Sequence, residues 1–335
     1  MKLIVDCILN SKSYDLRQAG ALAQLLAKGK VTQLEKPLIA LICEQYGLNK
    51  SPDYAIAAIS AKVDGVDMGL DIDVADAYWF RANPVHLLLQ RDSFSLAEPI
   101  PLQVACEHAD SMIVSLNQHF NQDDLVFMIG HSGAWYLRVA QCPKIKTNLP
   151  EIAVGKNIHQ FLPQGEGTSR WLMVLNEVQM LLHEHPANMA REALGEVAVN
   201  SIWLSGGGVM PQTANLQGDK TTLFADDIFY QGLASWADLP LQALPKQFDV
   251  ILQKYSLQKP TKHFRLSLPS THHLINDKSL DEAWFDPILA ALKIRKIKEL
   301  RLNLGLYEKT LSVDIKPIDT YKFWRSLKPA MDYFI

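Results

Sequence analysis

The chain has 335 residues, long enough for two domains or for one large domain carrying an insertion. Lys+Arg at 33 against Asp+Glu at 36 leaves a net charge of −3, without the basic stripe a nucleic-acid binder carries. The densest basic run, KIRKIK at 293–298, has Ile294 and Ile297 interleaved and reads as the solvated edge of an element. Cys7, Cys43, Cys106 and Cys142 are scattered without a C-x-x-C pair, which speaks against a cysteine zinc site and against a disulfide framework. No apolar run reaches the length of a membrane span, and the opening MKLIVDCILNSKSY is too short and too broken by Asp6 for a signal peptide. The expectation is a cytoplasmic protein with neither a nucleic-acid nor a membrane partner.

Taken in chain order, 3–9 reads as a first buried strand. Leucines and alanines at helical spacing (Leu16, Ala19, Leu22, Ala23, Leu26) then predict a helix over 13–28, with Gly29 as its stop. Helical stretches follow at 36–46 and 52–63, and a glycine-and-aspartate loop at 64–73. The segment 77–142 has its own order: a strand at 84–91, a helix at 102–120, and strands at 125–129 and 134–139. The last alternates Trp135, Leu137 and Val139 against Tyr136 and Arg138, as a half-buried antiparallel strand does. That β-α-β-β order predicts half of a ferredoxin-like α+β module inserted in a core formed by 1–76 and 143–335.

Beyond a loop-rich stretch at 143–163, the pattern predicts helices at 169–183 and 188–194 and a strand at 197–204 leading into Gly206-Gly207-Gly208. Further strands are expected at 223–225, 264–268, 299–304 and 309–315, and helices at 228–236, 248–255 and 280–292. Strands separated by helices predict an α/β fold with a largely parallel sheet.

The stretch 171–208 carries the densest signal. Trp171, Val174, Leu175, Val178, Leu181 and Leu182 form one apolar helix face, while Asn176, Gln179 and His183 line another that is polar and uncharged. Such amides and imidazoles either hold neighbouring loops through main-chain bonds or bind a small polar or anionic ligand. His183-x-His185 is a poor metal pair, since residues two apart on a helix do not face one site. The glycines after Ser205 invite a phosphate-loop reading, yet the Lys-Ser/Thr of a P-loop is missing and the G-x-G-x-x-G spacing is not met. Glycines allowing a tight crossover at a strand end are the other reading.

The run HPANMAREALGEVAVNSIWLSGGGVMP resembles the H-P-x-N…R…G…N-x-x-W-x-x-G-x-G segment of the archaeal-type cofactor-independent phosphoglycerate mutases. The likeness falls on His185, Pro186, Asn188, Arg191, Gly195, Asn200, Trp203, Gly206 and Gly208. A second likeness spans more of the chain, through WFRANPVH at 79–86, GKNI at 155–158, Leu162-Pro163, NEVQM at 176–180 and FWR at 323–325. In these the chain resembles a proteobacterial phosphoglycerate-mutase-like family that includes Rpf-type regulatory proteins. The resemblance implies a core of alkaline-phosphatase-superfamily type. For the mutases it also implies two divalent metals and a serine or threonine that takes the phosphoryl group, with an Asp-Gly after the first strand and a late Asp-His-Ser/Thr.

Here Asp6 is followed by Cys7, and no Asp-His-Ser/Thr occurs. Asp6, Asp226, Asp227, His272 and His273 are the remaining weak candidates for metal, and no cofactor is expected. A pseudoenzyme with a ligand-binding cluster (Asn176, Gln179, His183, His185, Asn188, Arg191, Asn200, Trp203, Gly206, Gly208) is therefore expected first. A metal-dependent phosphomutase or phosphatase with an atypical ligand set is the second reading. A protein–protein module using Trp79, Trp135 and Tyr136 as an exposed surface is the third.

Overall fold

In the computed structural model the chain starts with strand β1 (Lys2–Ile8), helix α1 (Ala21–Lys28), strand β2 (Lys30–Leu34) and helix α2 (Leu38–Gln45). Next come helix α3 (Ile56–Asp64), strand β3 (Tyr78–Val85) and a small hairpin, β4 (Leu87–Leu89) with β5 (Phe94–Leu96). Helix α4 (Cys106–His119), strands β6 (Leu125–Ile129) and β7 (Trp135–Val139), and the short pair β8 (Ile145–Lys146) and β9 (Gln164–Gly165) follow. Helices α5 (Thr168–His183) and α6 (Pro186–Ala193) lead to strand β10 (Ser201–Gly208). The remainder holds β11 (Thr222–Phe224), α7 (Ile228–Trp236), β12 (Leu241–Gln242), α8 (Phe248–Tyr255) and β13 (His263–Ser267). A π-helical turn (Asp281–Phe285) runs into a helix (Asp286–Lys293), and β14 (Glu299–Leu306) and β15 (Lys309–Ile315) close the sequence of strands.

The structure describes residues 1–9, 20–65, 77–91, 93–212, 221–255, 262–269 and 280–334. They divide into a unit of 1–46 with 215–335 and a unit of 47–214. The N-terminal half of the helix expected over 13–28 lies outside the described residues.

The first unit is built on a seven-stranded sheet in the order β12-β11-β13-β1-β14-β15-β2. Its pairings are parallel from β12 through β14, and only the β14–β15 and β15–β2 pairings are antiparallel. The class is thus α/β with a mainly parallel central sheet. Alternation assigns the faces. Leu3, Val5 and Cys7 of β1 pair in register beside Leu300, Leu302 and Leu304 of β14, and Phe264 and Leu266 of β13 join them in the main apolar core. The opposite face carries Asp6, Arg265, Asn303, Thr310 and Ser312, all but Ser312 fully buried. Helix α2 lies close over this polar face at Gly305, where a Cβ would come within 2.7 Å of the Leu38 Cβ. The sequence pattern places no element at 30–34, where the structure has the edge strand β2; its residues are mostly exposed and lack the alternation that marks a strand.

The second unit holds a four-stranded antiparallel sheet in the order β10-β3-β7-β6. With α4 between β3 and β6, and α5 and α6 between β7 and β10, this is the full β-α-β-β-α-β arrangement of a ferredoxin-like module. The half module expected over 77–142 is completed by 143–208, so the unit is broader than that segment. Two strand positions differ from expectation. The first strand is Tyr78–Val85 rather than 84–91, because Tyr78, Phe80 and Ala82 are the residues that enter the core. The last is Ser201–Gly208 rather than 197–204, because the three glycines are strand, not loop.

Those glycines allow close approach. Gly206 has φ +62° and its added Cβ would stand 3.0 Å from the Ile56 Cβ of α3, at a break in register between Ser205 and Gly208. Trp79, Trp135 and Tyr136, expected at the surface, are instead buried in the two cores flanking this sheet. The exposed aromatic pair is Phe323 and Trp324, at 89% and 67% exposure. No helix among the described residues is long and apolar enough to cross a membrane. Gly206→Ala is expected to cost about 1–3 kcal/mol, from the left-handed backbone and the tight contact with Ile56, read from chemical denaturation.

Candidate functional site

In open α/β sheets ligands meet the carboxyl ends of the parallel strands, so the polar face near the end of β1 is the first place to look. Asp6 sits there, 1% exposed. Register places Ser267 of β13 and Asn303 of β14 directly beside it. Arg265, two residues earlier on β13, reaches the Asp6 carboxylate in a fork: Nε donates to Oδ2 at 2.5 Å and Nη2 to Oδ1 at 3.1 Å. The Tyr230 hydroxyl donates to Oδ2 at 2.9 Å and the Asn303 amide to Oδ1 at 2.7 Å. Ser312 in turn donates to Asn303 Oδ1 at 3.0 Å, and the Tyr46 ring lies under the Arg265 guanidinium at 5.2 Å.

Every lone-pair direction of this carboxylate is therefore used. Each oxygen accepts two donors, and a full positive charge is in contact with it. Burial works to lower the Arg265 pKa, but Asp6, Tyr230 and Tyr46 outweigh it and leave the guanidinium more firmly protonated than usual. Burial, with Asp6 next, pushes the Tyr230 phenol far up, so it stays a donor. The same two causes push the Cys7 thiol up to about 12 on the other side of the strand, which makes it inert as a nucleophile at neutral pH.

The other metal candidates are elsewhere employed. Asp227 caps α7, with Oδ1 accepting from the N–H groups of Phe229 and Tyr230, and Asp226 accepts from the N–H of Leu244 at 3.0 Å. His272 and His273 lie outside the described residues. Among the described residues, no group of three His, Cys, Asp or Glu side chains could hold a metal ion.

The residues of 171–208 do not form one cluster. Asn176 and His183 are exposed and Gln179 is half-buried on α5. Asn188 is buried and spends its amide on main chain: Nδ2 donates to the carbonyls of Leu182 and Val199, both at 2.7 Å, and Oδ1 accepts from the Val199 N–H at 2.8 Å. Arg191 donates through Nε and Nη2 to the Val197 carbonyl and forms an ion pair with Glu196, Nη1 to Oε2 2.9 Å.

His185 caps α6, its Nδ1 accepting from the Ala187 N–H; the other ring nitrogen, 3.0 Å from Ser115 Oγ, then holds the proton. Burial lowers the His185 pKa, which keeps the ring neutral. Asn200 pairs with both main-chain groups of Leu87, and the Trp203 indole donates to the Asn148 carbonyl at 2.8 Å. Gly206 and Gly208 make the bulge under α3. Main-chain stapling is thus the observed role of Asn188, Arg191, Asn200 and Trp203.

The pattern did not single out Arg265, Tyr230 and Asn303. The available signal was an arginine between Phe264 and Leu266, in a strand apolar enough to be central.

The fold defines an α/β protein with a mainly parallel sheet and a ferredoxin-like second unit. Over 155 residues, 46% of its length, the chain is 27% identical to a probable 2,3-bisphosphoglycerate-independent phosphoglycerate mutase of Geobacter sulfurreducens. It is 36% identical over 93 residues, 26% of its length, to the 2,3-bisphosphoglycerate-independent phosphoglycerate mutase of Methanothrix thermoacetophila. Over those residues it is a distant homologue of such mutases, and the matches span only 38% and 24% of these relatives' own lengths. No family model matches. Among solved structures it is similar to a cofactor-independent phosphoglycerate mutase from Thermoplasma acidophilum (TM-score 0.41, 16% identity, 94% of this chain and 90% of that one). It is also similar to the PH0037 protein from Pyrococcus horikoshii (TM-score 0.47, 15% identity, 93% and 87%).

Two outcomes are expected. Arg265→Met should cost about 3–5 kcal/mol by leaving Asp6 buried without its countercharge, while the Asp6→Leu/Arg265→Met double variant should cost less than that single change. Denaturant titration of the set reads both. Asn188→Ala should cost about 2–4 kcal/mol by the same measurement, since it strips three buried main-chain groups of their partner.

Proposed function

We propose that this chain is a phosphoglycerate-mutase-like protein that has left metal-dependent phosphoryl transfer and acts as a binding or regulatory protein for a small polar or anionic ligand. The single observation that carries the reading is the state of Asp6. The family likeness implies a metal-ligating carboxylate at the end of the first strand, and here that carboxylate is in a fork with Arg265 and capped by Tyr230 and Asn303. A divalent cation needs an oxygen lone pair and tolerates no guanidinium in contact with it. The donor set therefore does not fit the metal the likeness implies. Asp226 and Asp227, spent on main chain beside α7, add to the same reading. A core of alkaline-phosphatase type and a cytoplasmic location belong to this proposal.

Purified protein with Mn²⁺ or Mg²⁺ should neither interconvert 2- and 3-phosphoglycerate nor hydrolyse p-nitrophenyl phosphate above buffer. Elemental analysis should find no stoichiometric divalent metal. Mn²⁺-dependent turnover abolished by Asp6→Asn would overturn the reading in favour of a phosphatase or mutase with an atypical ligand set.

A further inference from the structure

We infer that residues 316–328, with the cleft they form against α1 and β2, dock the first unit on the anionic surface of a lipid bilayer. Phe323, Trp324 and Leu327 enter the headgroup region, and Lys30, Arg325 and Lys328 meet the lipid phosphates. The inference goes beyond the ligand-binding reading above and does not depend on it.

The run Phe323-Trp324-Arg325 takes no part in the network around Asp6, yet it lies in the most apolar exposed stretch of this unit. Ile318, Tyr321, Phe323, Trp324 and Leu327 are all exposed, Phe323 at 89% and Trp324 at 67%. Apolar side chains exposed singly are ordinary, but a run of them marks a surface that meets a partner.

The segment is pinned on both sides. Before it, the turn Pro317–Tyr321 lies on α1: Lys28 Nζ donates to the Thr320 carbonyl at 2.9 Å and Lys322 Nζ to the Lys28 carbonyl at 3.4 Å. After it, Ala330 and Phe334 enter the main apolar core, and Lys309 Nζ donates to the Phe334 carbonyl at 3.0 Å. Between these anchors the Phe323 N–H donates to the Tyr321 carbonyl at 2.8 Å. The Phe323 and Trp324 rings meet edge to face, centroids 5.3 Å apart, and leave their outer surfaces in water.

The charge beside this patch is of one sign. A cleft of about 450 Å³ is lined by Lys30, Arg325, Ser326, Lys328 and Tyr333 at the end of α1, and no acidic side chain among the described residues lines it. Lys30, Arg325 and Lys328 are exposed and form no side-chain hydrogen bond or ion pair among the described residues. Lys28 and Lys322 already serve main-chain carbonyls here, so the other three cations are not needed at the helix end. Asp319, the one acid within 316–328, is held by Lys322 at 2.7 Å and by the Lys316 N–H at 2.8 Å. Burial and the neighbouring Lys293 push the Lys28 ammonium below the usual lysine range, as crowding by like charges does.

Aliphatic and aromatic side chains rimmed by Lys and Arg match the boundary of an anionic bilayer, which draws apolar groups inward and cations to its phosphates. Single-stranded nucleic acid asks instead for rings that offer faces to successive bases. Phe323 and Trp324 stand at 84° to each other, and Ile318 and Leu327 have no face to stack on.

Co-sedimentation of the full chain with vesicles tests this. Phosphatidylcholine vesicles carrying about 30% phosphatidylserine should bind about tenfold or more tighter than phosphatidylcholine alone, and about 0.5 M NaCl should remove most of the difference. Arg325→Gln/Lys328→Gln and Phe323→Ser/Trp324→Ser should each weaken binding about tenfold or more. Both should keep the wild-type Tm, since these side chains are exposed. Trp324 is the one exposed tryptophan of seven, so brominated acyl chains should quench the emission of bound wild type and not that of Trp324→Phe.

Equal binding to both vesicles, or none at low salt, would overturn the surface. So would either double variant binding phosphatidylserine vesicles like wild type, or bound protein whose emission is unquenched. A labelled oligothymidylate bound tighter than the vesicles would also overturn it, in favour of nucleic acid.

Discussion

Two opposite charges placed in the middle of a parallel sheet have to find each other, and the first unit is organised around that necessity. Strand β1 is flanked by β13 and β14, so Asp6 has no route to water along the sheet. An isolated carboxylate there would carry a desolvation cost of several kcal/mol, and Arg265 one strand away would carry its own. Together they are tolerable only because Tyr230, Asn303 and Tyr46 complete the coordination of both ions. Helices α7 and α2 bring in or lead up to two of these groups, and β14 the third. The polar face of the sheet and its packing layer are thus specified by one ion pair.

On the function proposed above, the same arrangement lets a scaffold keep its shape while its chemistry changes. A divalent metal and a guanidinium solve one electrostatic problem, the neutralisation of a buried strand-end carboxylate, in incompatible ways. The metal leaves coordination positions open for a reacting oxygen. The guanidinium, with Tyr230 and Asn303, fills the carboxylate's lone pairs and leaves no position there for a metal-bound phosphoryl oxygen. With Arg265 in place the sheet is stabilised from within, and the demand for further carboxylates and imidazoles around the strand end disappears. Asp226 and Asp227 then serve as ordinary capping and turn residues.

Much of this was legible in the residues, and the limits have physical causes. Strands such as β15 and helices such as α5 and α7 follow from alternation and periodicity because one face of each is apolar and the other is not. β2 carries no such contrast, and β10 is disguised by three glycines that read as a loop. The ferredoxin-like order was half visible because its fourth strand comes from well over a hundred residues after its first. The segment 171–208 was visible for its unusual polar residues, yet residue type alone cannot tell an amide that holds a loop from one that holds a ligand. Asn188 and Asn200 answer that only through their partners.

That distinction also sets apart two charged clusters of the first unit. Around Asp6 both carboxylate oxygens are saturated, which is the signature of an interaction that specifies structure. Around 316–328 the cations divide: Lys28 and Lys322 hold the turn to α1, while Lys30, Arg325 and Lys328 line an open cleft. Desolvation separates the two cases. A buried charge has to be matched within the chain before the sheet can close over it, so its partners are fixed by the fold. An exposed charge is matched by water at little cost, and folding leaves its partner unspecified.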